Sequence, residues 1–316
     1  MAAKKRPIRP SQLAYTFSIV ARDPQSGHMG VAVQSHWFSV GSVVTWAEAG
    51  VGAVATQAMV KVSHGPLGLD LMRGGLSAPQ ALEALLTADE GRALRQVAMT
   101  DAEGHIAVHT GERCIADAGH TIGNGFSTQA NMMANADVWP AMADAYRRSP
   151  DRLPERMVTA LEAGQAAGGD IRGRQSAALL VVKTESSGRP WADAVIELRV
   201  EDHPEPVREL RRLLTLQRAY EHMNHGDELL GAGQVEEALE AYQTAAAMAP
   251  HIDELPFWQA VTLADLGRVE EALPIFREVF DKNSDWRTLV QRLPEAGLLR
   301  DDPRMMERIL DVGRNA

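Results

Sequence analysis

Alternating apolar and polar positions, in short runs divided by turn residues, organise the first hundred residues of this chain. Residues 15–21 alternate and are β-branched, Asp23-Pro-Gln-Ser-Gly27 is a turn cluster, and 29–35 repeats the strand pattern, so a hairpin is expected. The same periodicity predicts strands over 42–46, 51–57, 95–100, 105–109, 177–183 and 194–200. Between these the period lengthens to that of a helix. Ser77-Ala-Pro-Gln80 has capping-box spacing and opens an apolar run through Leu82, Leu85 and Leu86. Asp137 stands where it would cap a second helix through Trp139, Met142 and Tyr146. A third runs from Leu153 through Met157 and Leu161 to Ala166, and Gly168-Gly169 stops it. Strands and helices come in groups, without regular β-α-β alternation. That order predicts an α+β fold of helices stacked on antiparallel sheets and fits a dinucleotide-cofactor fold poorly, so no cofactor is expected.

Beyond residue 200 the pattern is wholly helical. His203-Pro-Glu-Pro206 reads as a stiff linker, because two prolines in four residues continue neither a helix nor a central strand. Gly233-Gln-Val-Glu-Glu-Ala-Leu239 then returns as Gly267-Arg-Val-Glu-Glu-Ala-Leu273, and Tyr242 returns as Phe276. The displacement of 34 residues is the tetratricopeptide period. Small Ala238 and Ala272 allow helices to approach, and Tyr242 and Phe276 fill the gaps. Two units are fewer than such a stack normally needs, so helices near 207–223 and 303–312 are expected to cap it.

Charge divides at the same place. Of the formal −10, residues 201–316 carry all, with 13 basic and 23 acidic side chains, while residues 1–200 carry 19 of each. An acidic tail on a neutral body supports a domain boundary near 200 and disfavours nucleic acid and anionic membrane as partners. Cys114 is the single cysteine, so no intrachain disulfide forms, and a buried apolar role is expected for it. Met1 to Pro10 is basic without the apolar run of a signal peptide, and no apolar stretch reaches the length of a membrane span. A cytoplasmic protein that forms a homo-oligomer is expected.

The apolar runs end in groups able to attack, donate or accept. Thr16-Phe-Ser-Ile-Val-Ala-Arg-Asp23, Gly30-Val-Ala-Val-Gln-Ser-His-Trp-Phe-Ser-Val-Gly41, Trp46-Ala-Glu-Ala-Gly-Val-Gly-Ala-Val-Ala-Thr-Gln57, Gln129-Ala-Asn-Met-Met133 and Gly168-Gly-Asp-Ile-Arg-Gly-Arg-Gln-Ser-Ala-Ala178 follow in order over residues 14–201. This series resembles the family of unknown function numbered 1028, which is placed in the N-terminal-nucleophile hydrolase superfamily. The resemblance implies an αββα sandwich, two antiparallel sheets between helical layers, preceded here by a leader over 1–14 and followed by an all-α tetratricopeptide-like domain over 207–316. It also implies a role for Thr16. In that superfamily an N-terminal residue attacks an amide carbonyl while its own α-amine takes the proton. Residues 1–15 make the Thr16 nitrogen an amide, so the mechanism requires cleavage after Tyr15. Thr16 as a mere strand opener is the competing reading.

Around Thr16 the candidate substrate contacts are Ser35, His36, Glu48, Gln57, Asn131, Asp170, Arg172 and Gln175. Ser18 shares a strand face with Thr16 as a reserve nucleophile, whereas Ser35 and His36, being adjacent on a strand, face opposite sides and form no triad. Glu48 suits an amine or a neighbouring arginine. Arg172 offers a planar fork to a substrate carboxylate, with Asp170 to orient it; an ion pair stapling helix to strand is the alternative. Gly119-His-Thr-Ile-Gly-Asn-Gly125 reads as a flexible turn or as a source of N–H groups for an oxyanion. His105 and His109, about 13 Å apart on a strand, cannot share an ion, and no metal is expected. Two functions are thus in view: hydrolysis of a small, carboxylate-bearing amide, or a non-catalytic ligand-binding sandwich whose acidic repeat recruits a protein partner or drives self-association.

Overall fold

The computed structural model describes residues 13–313, so residues 1–12 of the expected leader and the last three residues of the helical tail lie outside the described residues. The chain forms two compact units that divide between Leu214 and Thr215. The first is built on two antiparallel sheets. One contains β1 (Leu13–Ala14), β5 (Gly52–Met59), β6 (Arg95–Asp101) and β7 (Ile106–Thr110) in that order, with β4 (Thr45–Glu48) also paired to β5. The other runs β11 (Ala194–Val200), β10 (Ser176–Lys183), β3 (His28–Ser35), β2 (Thr16–Asp23), β9 (Phe126–Ala130), β8 (Gly119–Gly123).

Side-chain alternation sorts each strand into two faces. Val20, Val31 and Val33 meet Ala53, Ala55 and Ala98 between the sheets. Phe17, Ile19, Ala32 and Leu179 face outward onto α4 (Val138–Arg148), α5 (Leu153–Ala166) and the start of α7 (Pro206–Gly231). Val54, Val97 and Met99 of the first sheet bury Leu69, Leu82 and Leu85 of α2 (His64–Arg73) and α3 (Ala78–Thr87). The layers are therefore helix, sheet, sheet, helix, as the resemblance implied and in keeping with helices stacked on antiparallel sheets.

Local signals account for most boundaries. Ser77 and Gln80 make the capping box, the Ser77 N–H donating to Gln80 Oε1 at 2.9 Å. Gly168 and Gly169 leave α5 with φ of +127° and +61°, a region where a side chain would be strained. Asp137 occupies the N-cap position of α4 but its carboxylate makes no capping bond.

Two expectations are corrected. Residues 42–46 are not one strand: Gly41–Val44 turn as a short helix, α1, before β4 begins at Thr45. Four residues advance only about 6 Å along a helical turn, against about 13 Å along a strand, so Val40 and Val44 enter the inter-sheet core side by side. Gly119–Gly125 is a strand and its turn, not a flexible loop or an oxyanion cradle: β8 and β9 form a hairpin about Asn124-Gly125. Strand β8 is an edge with alternately exposed residues, so it lacks the apolar alternation that marked the other strands, although Asn-Gly is itself a hairpin signal.

The second unit is helical throughout. After the later part of α7 come α8 (Val235–Met248), α9 (Glu254–Asp265), α10 (Val269–Lys282), α11 (Asp285–Val290) and α12 (Pro303–Asp311). Helices α8 and α10 start 34 residues apart, each just after a glycine at positive φ, Gly233 and Gly267. Ala238, Ala272, Tyr242 and Phe276 are all buried. At Gly226 of α7 a Cβ would lie 2.6 Å from the Tyr242 ring, so that helix approaches α8 closely only because a side chain is missing there. Among the described residues no helix is long and apolar enough to cross a membrane.

Candidate functional site

At one end of the inter-sheet layer the period of two continues, but its inward positions turn polar. Thr16 and Ser18 of β2 precede Val20, Ser35 follows Val33, Gln57 follows Ala55, and Gln96 precedes Ala98. All of these polar residues are fully buried. Register sets them opposite one another: Thr16 pairs with Ser35, Gln57 with Gln96, and Ser18 with Gln129. A buried polar group needs a partner, and here they satisfy one another. Ser18 Oγ donates to Gln57 Oε1 at 2.6 Å and accepts from Gln129 Nε2 at 2.6 Å. Gln57 Nε2 and Asn131 Nδ2 both donate to Gln96 Oε1, at 2.7 and 2.8 Å. Gln96 Nε2 in turn meets Ala130 O at 2.9 Å and Thr110 Oγ1 at 2.8 Å.

Thr16 sits at the mouth of this network. Its carbonyl accepts from Gln57 Nε2 at 3.2 Å and from the Asn131 N–H at 3.1 Å. Its hydroxyl donates to Ala14 O at 2.8 Å, with Ser35 Oγ 3.4 Å away. The nitrogen is the amide of the Tyr15–Thr16 bond, and the Thr16 side chain is fully buried under the segment that precedes it. Cavities of about 490 and 570 Å³ on this unit are lined by other residues.

The carbonyl of that same bond is held from two sides. Ser35 Oγ donates to Tyr15 O at 2.6 Å, and Arg172 Nη2 donates to it at 2.8 Å. Arg172 is aimed by Asp170, whose carboxylate is buried and accepts from Arg172 Nε at 3.0 Å and Nη2 at 2.7 Å. Asp170 also accepts the backbone N–H of His36 at 3.2 Å and of Arg172 at 2.9 Å, which fixes it at the end of β3. The fork that the sequence offered to a substrate carboxylate is thus filled by Asp170, and its remaining reach goes to a carbonyl oxygen. Backbone strain lies alongside: Ala58 and Met132, the neighbours of Gln57 and Asn131, have φ of +68° and +58°. Such conformations persist where the surrounding structure imposes them, and they gather at ligand sites.

Thr16, Ser35, Gln57, Asn131, Asp170 and Arg172 are therefore brought together. His36 contributes its backbone, while its ring is exposed beside Gly173. Glu48 lies elsewhere, paired with Arg73 of α2. The Gln175 side chain donates to Asp202 at 3.1 Å, and only its backbone touches Ser35. Gln34 faces the helical layer with Phe17 and Ala177, and neither atom of its amide has a hydrogen-bond partner. Gln96 was not singled out, although a glutamine in an apolar strand is the same signal that marked Gln57. Burial pushes the Cys114 thiol up to about 11, which leaves little thiolate at neutral pH. Asp101, Glu103 and His105 cluster at the β6–β7 turn, where the Asp101 carboxylate accepts the N–H of Ala78 at 2.8 Å and of His105 at 2.9 Å.

A second buried group lies past the end of β5. His64 is 1% exposed, and its Nε2 is 3.5 Å from Asp89 Oδ2. Asp89 is held by Arg95 Nε at 2.9 Å and by Lys61 at 3.5 Å, and Arg95 Nη1 donates to Met59 O at 2.6 Å. Burial, with Lys61, Arg95 and His109 nearby, lowers the His64 pKa to about 4 despite Asp89. Because the folded value lies below the unfolded one, stability is complete above about 6.5 and is lost as pH falls toward 4, by roughly 2–3 kcal/mol. Asp89, whose own pKa is also depressed, contributes only at lower pH. Urea midpoints between about pH 7 and pH 4.5 should fall more steeply for the native chain than for His64→Gln; parallel curves would remove His64 as the cause.

A model of the Family of unknown function (DUF1028) matches residues 16–210, and a Tetratricopeptide repeat model matches residues 223–285. Among solved structures the chain is similar to protein SPO2555 from Silicibacter pomeroyi, assigned to the same family, with 30% identity and a TM-score of 0.57. That match covers 64% of this chain and 88% of the other. No curated protein matches the chain.

Proposed function

This chain belongs to the Family of unknown function (DUF1028), and on that premise we propose that its sandwich is an amide-bond hydrolase of the N-terminal-nucleophile type, with Thr16 as nucleophile. The observation that carries the reading is the Tyr15 carbonyl, held at 2.6 Å by Ser35 Oγ and at 2.8 Å by Arg172 Nη2, immediately ahead of the Thr16 hydroxyl. Two donors on a carbonyl oxygen stabilise the charge that develops when its carbon is attacked, one of them cationic and aimed by a buried carboxylate.

In the first turn of this chemistry the target is the chain itself. Thr16 Oγ1 attacks the Tyr15 carbonyl carbon, the C–N bond breaks, and the proton leaves with the nitrogen, giving a Tyr15 ester on Thr16 and a free α-amine. Water cleaves the ester and restores the hydroxyl. The freed amine, with an ordinary pKa near 8, then serves as base for attack on other amides. Gln57 and Asn131 keep the Thr16 carbonyl in place through both stages.

The decisive experiment is a screen of amides, lactams and acyl amino acids, read by liberated amine. It compares protein shown by intact mass to begin at Thr16 with protein whose Thr16 nitrogen remains acylated. Turnover confined to the first is expected; equal turnover by both would remove the amine from the mechanism. For the helical unit, the tetratricopeptide match supports the separate proposal that residues 215–316 recruit a protein partner.

A further inference from the structure

Residues 13–15 lie as a ligand would lie. Leu13 and Ala14 pair antiparallel with Met59 and Ala58, on the edge of β5 that β4 leaves uncovered, since β4 pairs only with residues 52–55. Ala14 is fully buried and joins the inter-sheet cluster with Ala55 and Val60. The Tyr15 residue is 6% exposed, its ring centroid is 5.3 Å from the Arg172 guanidinium carbon, and burial raises its phenol pKa. Beyond the ring, the carbonyl enters the cradle of Ser35 and Arg172. The segment therefore occupies, in order, a strand edge, a site for a small side chain, an aromatic site beneath a cation, and a polarised carbonyl.

Resting on the Thr16 reading, we propose that this is the imprint of the substrate: a peptide whose residue on the acyl side of the cleaved bond is aromatic, preceded by a small residue and laid antiparallel on β5 at Ala58–Met59. This replaces the small carboxylate-bearing amide suggested by the Arg172 fork, because Asp170 already fills that fork. Main-chain pairing to an open sheet edge supplies affinity that is indifferent to sequence, and the alternate side-chain sites supply selection. A guanidinium over an aromatic face, with burial of the ring, favours Tyr, Phe or Trp over a polar residue. The balance is that of hydrolysis. The acyl group passes from the peptide nitrogen to Thr16 Oγ1, the proton of that hydroxyl goes through the α-amine to the leaving amine, and water then divides the ester into acid and hydroxyl.

The test uses the full chain carrying a protease recognition sequence directly before Thr16, folded first and cut afterwards. Acetyl-Leu-Ala-Tyr, acetyl-Leu-Ala-Asp and acetyl-Leu-Trp-Tyr, each as the free acid, are titrated into it by calorimetry, and the matching 4-nitroanilides are offered as substrates. The first peptide is expected to bind about tenfold or more tightly than the other two, and its anilide to be hydrolysed with the same preference. Equal affinities for the three acids, or none, would overturn the imprint whatever the protein hydrolyses. Turnover of small amides without regard to an aromatic residue would overturn it and leave the Thr16 mechanism standing. Selective binding of acetyl-Leu-Ala-Tyr with no turnover of any amide would support the imprint and sink the mechanism.

Discussion

Thr16→Ala is expected to yield a chain uncut between Tyr15 and Thr16 and without amide turnover, whereas Thr16→Ser retains both processes at reduced rate. The reason is that one residue is asked to supply two groups. Its hydroxyl forms the acyl ester, and its nitrogen, once released, moves the proton, so no neighbour replaces it. Ser35 has its hydroxyl hydrogen committed to the Tyr15 carbonyl at 2.6 Å, and Ser18 is bonded to both Gln57 and Gln129. Neither is placed to take over. The fold should tolerate the change, because the Thr16 hydroxyl makes one neutral bond to Ala14 O, worth about 1 kcal/mol. Intact mass reads the first outcome, liberated amine the second, and a urea midpoint shows that the variant remains folded. A Thr16→Ala protein that still turns over amides would dispose of the nucleophile.

The second large effect belongs to Gln96. Its Oε1 accepts from Gln57 Nε2 and Asn131 Nδ2, and its Nε2 reaches Ala130 O and Thr110 Oγ1, so one amide joins both sheets. Gln96→Leu matches the volume closely but takes one acceptor from each of the buried Gln57 and Asn131 amides, which keep only the Thr16 carbonyl, and removes a donor from the Ala130 and Gly119 carbonyls. Each such loss costs about 1–3 kcal/mol, and partial relaxation brings the total to roughly 3–5 kcal/mol. Because Gln57 and Asn131 also hold the Thr16 carbonyl, cleavage at Tyr15–Thr16 should slow by about tenfold or more under conditions where the variant is folded. A loss below about 1 kcal/mol by chemical denaturation would mean that water or rearranged amides replace Gln96, and that the network does not act as a unit.

How far the sequence carries the reading is seen in these same residues. Strands β2, β3 and β5 were legible because period-two alternation is dictated by the pleat itself, and the 34-residue repeat because each helix pair must bury the same small and aromatic positions. Polar groups at strand ends marked Thr16, Ser35 and Gln57 as a set, and register then brought them together. Strand β8 escaped because its half-buried face is Gly119, Thr121 and Gly123, which gives an edge strand no apolar alternation. Glu48 and Gln175 were drawn toward the site by position in the chain, but each found a closer partner, Arg73 and Asp202. Gln96 escaped because its importance lies in whom it faces, not in its own neighbours along the chain.

Periodicity and composition by themselves determined the layered sheets, the repeat and the break between a neutral body and an acidic tail, since burial acts on residues one turn or one pleat apart. Which polar groups converge was decided only by tertiary structure. Arg172 reaches Tyr15 across 157 positions of chain, and Gln129 reaches Ser18 across 111. Such meetings depend on strand order and register, which local spacing does not encode.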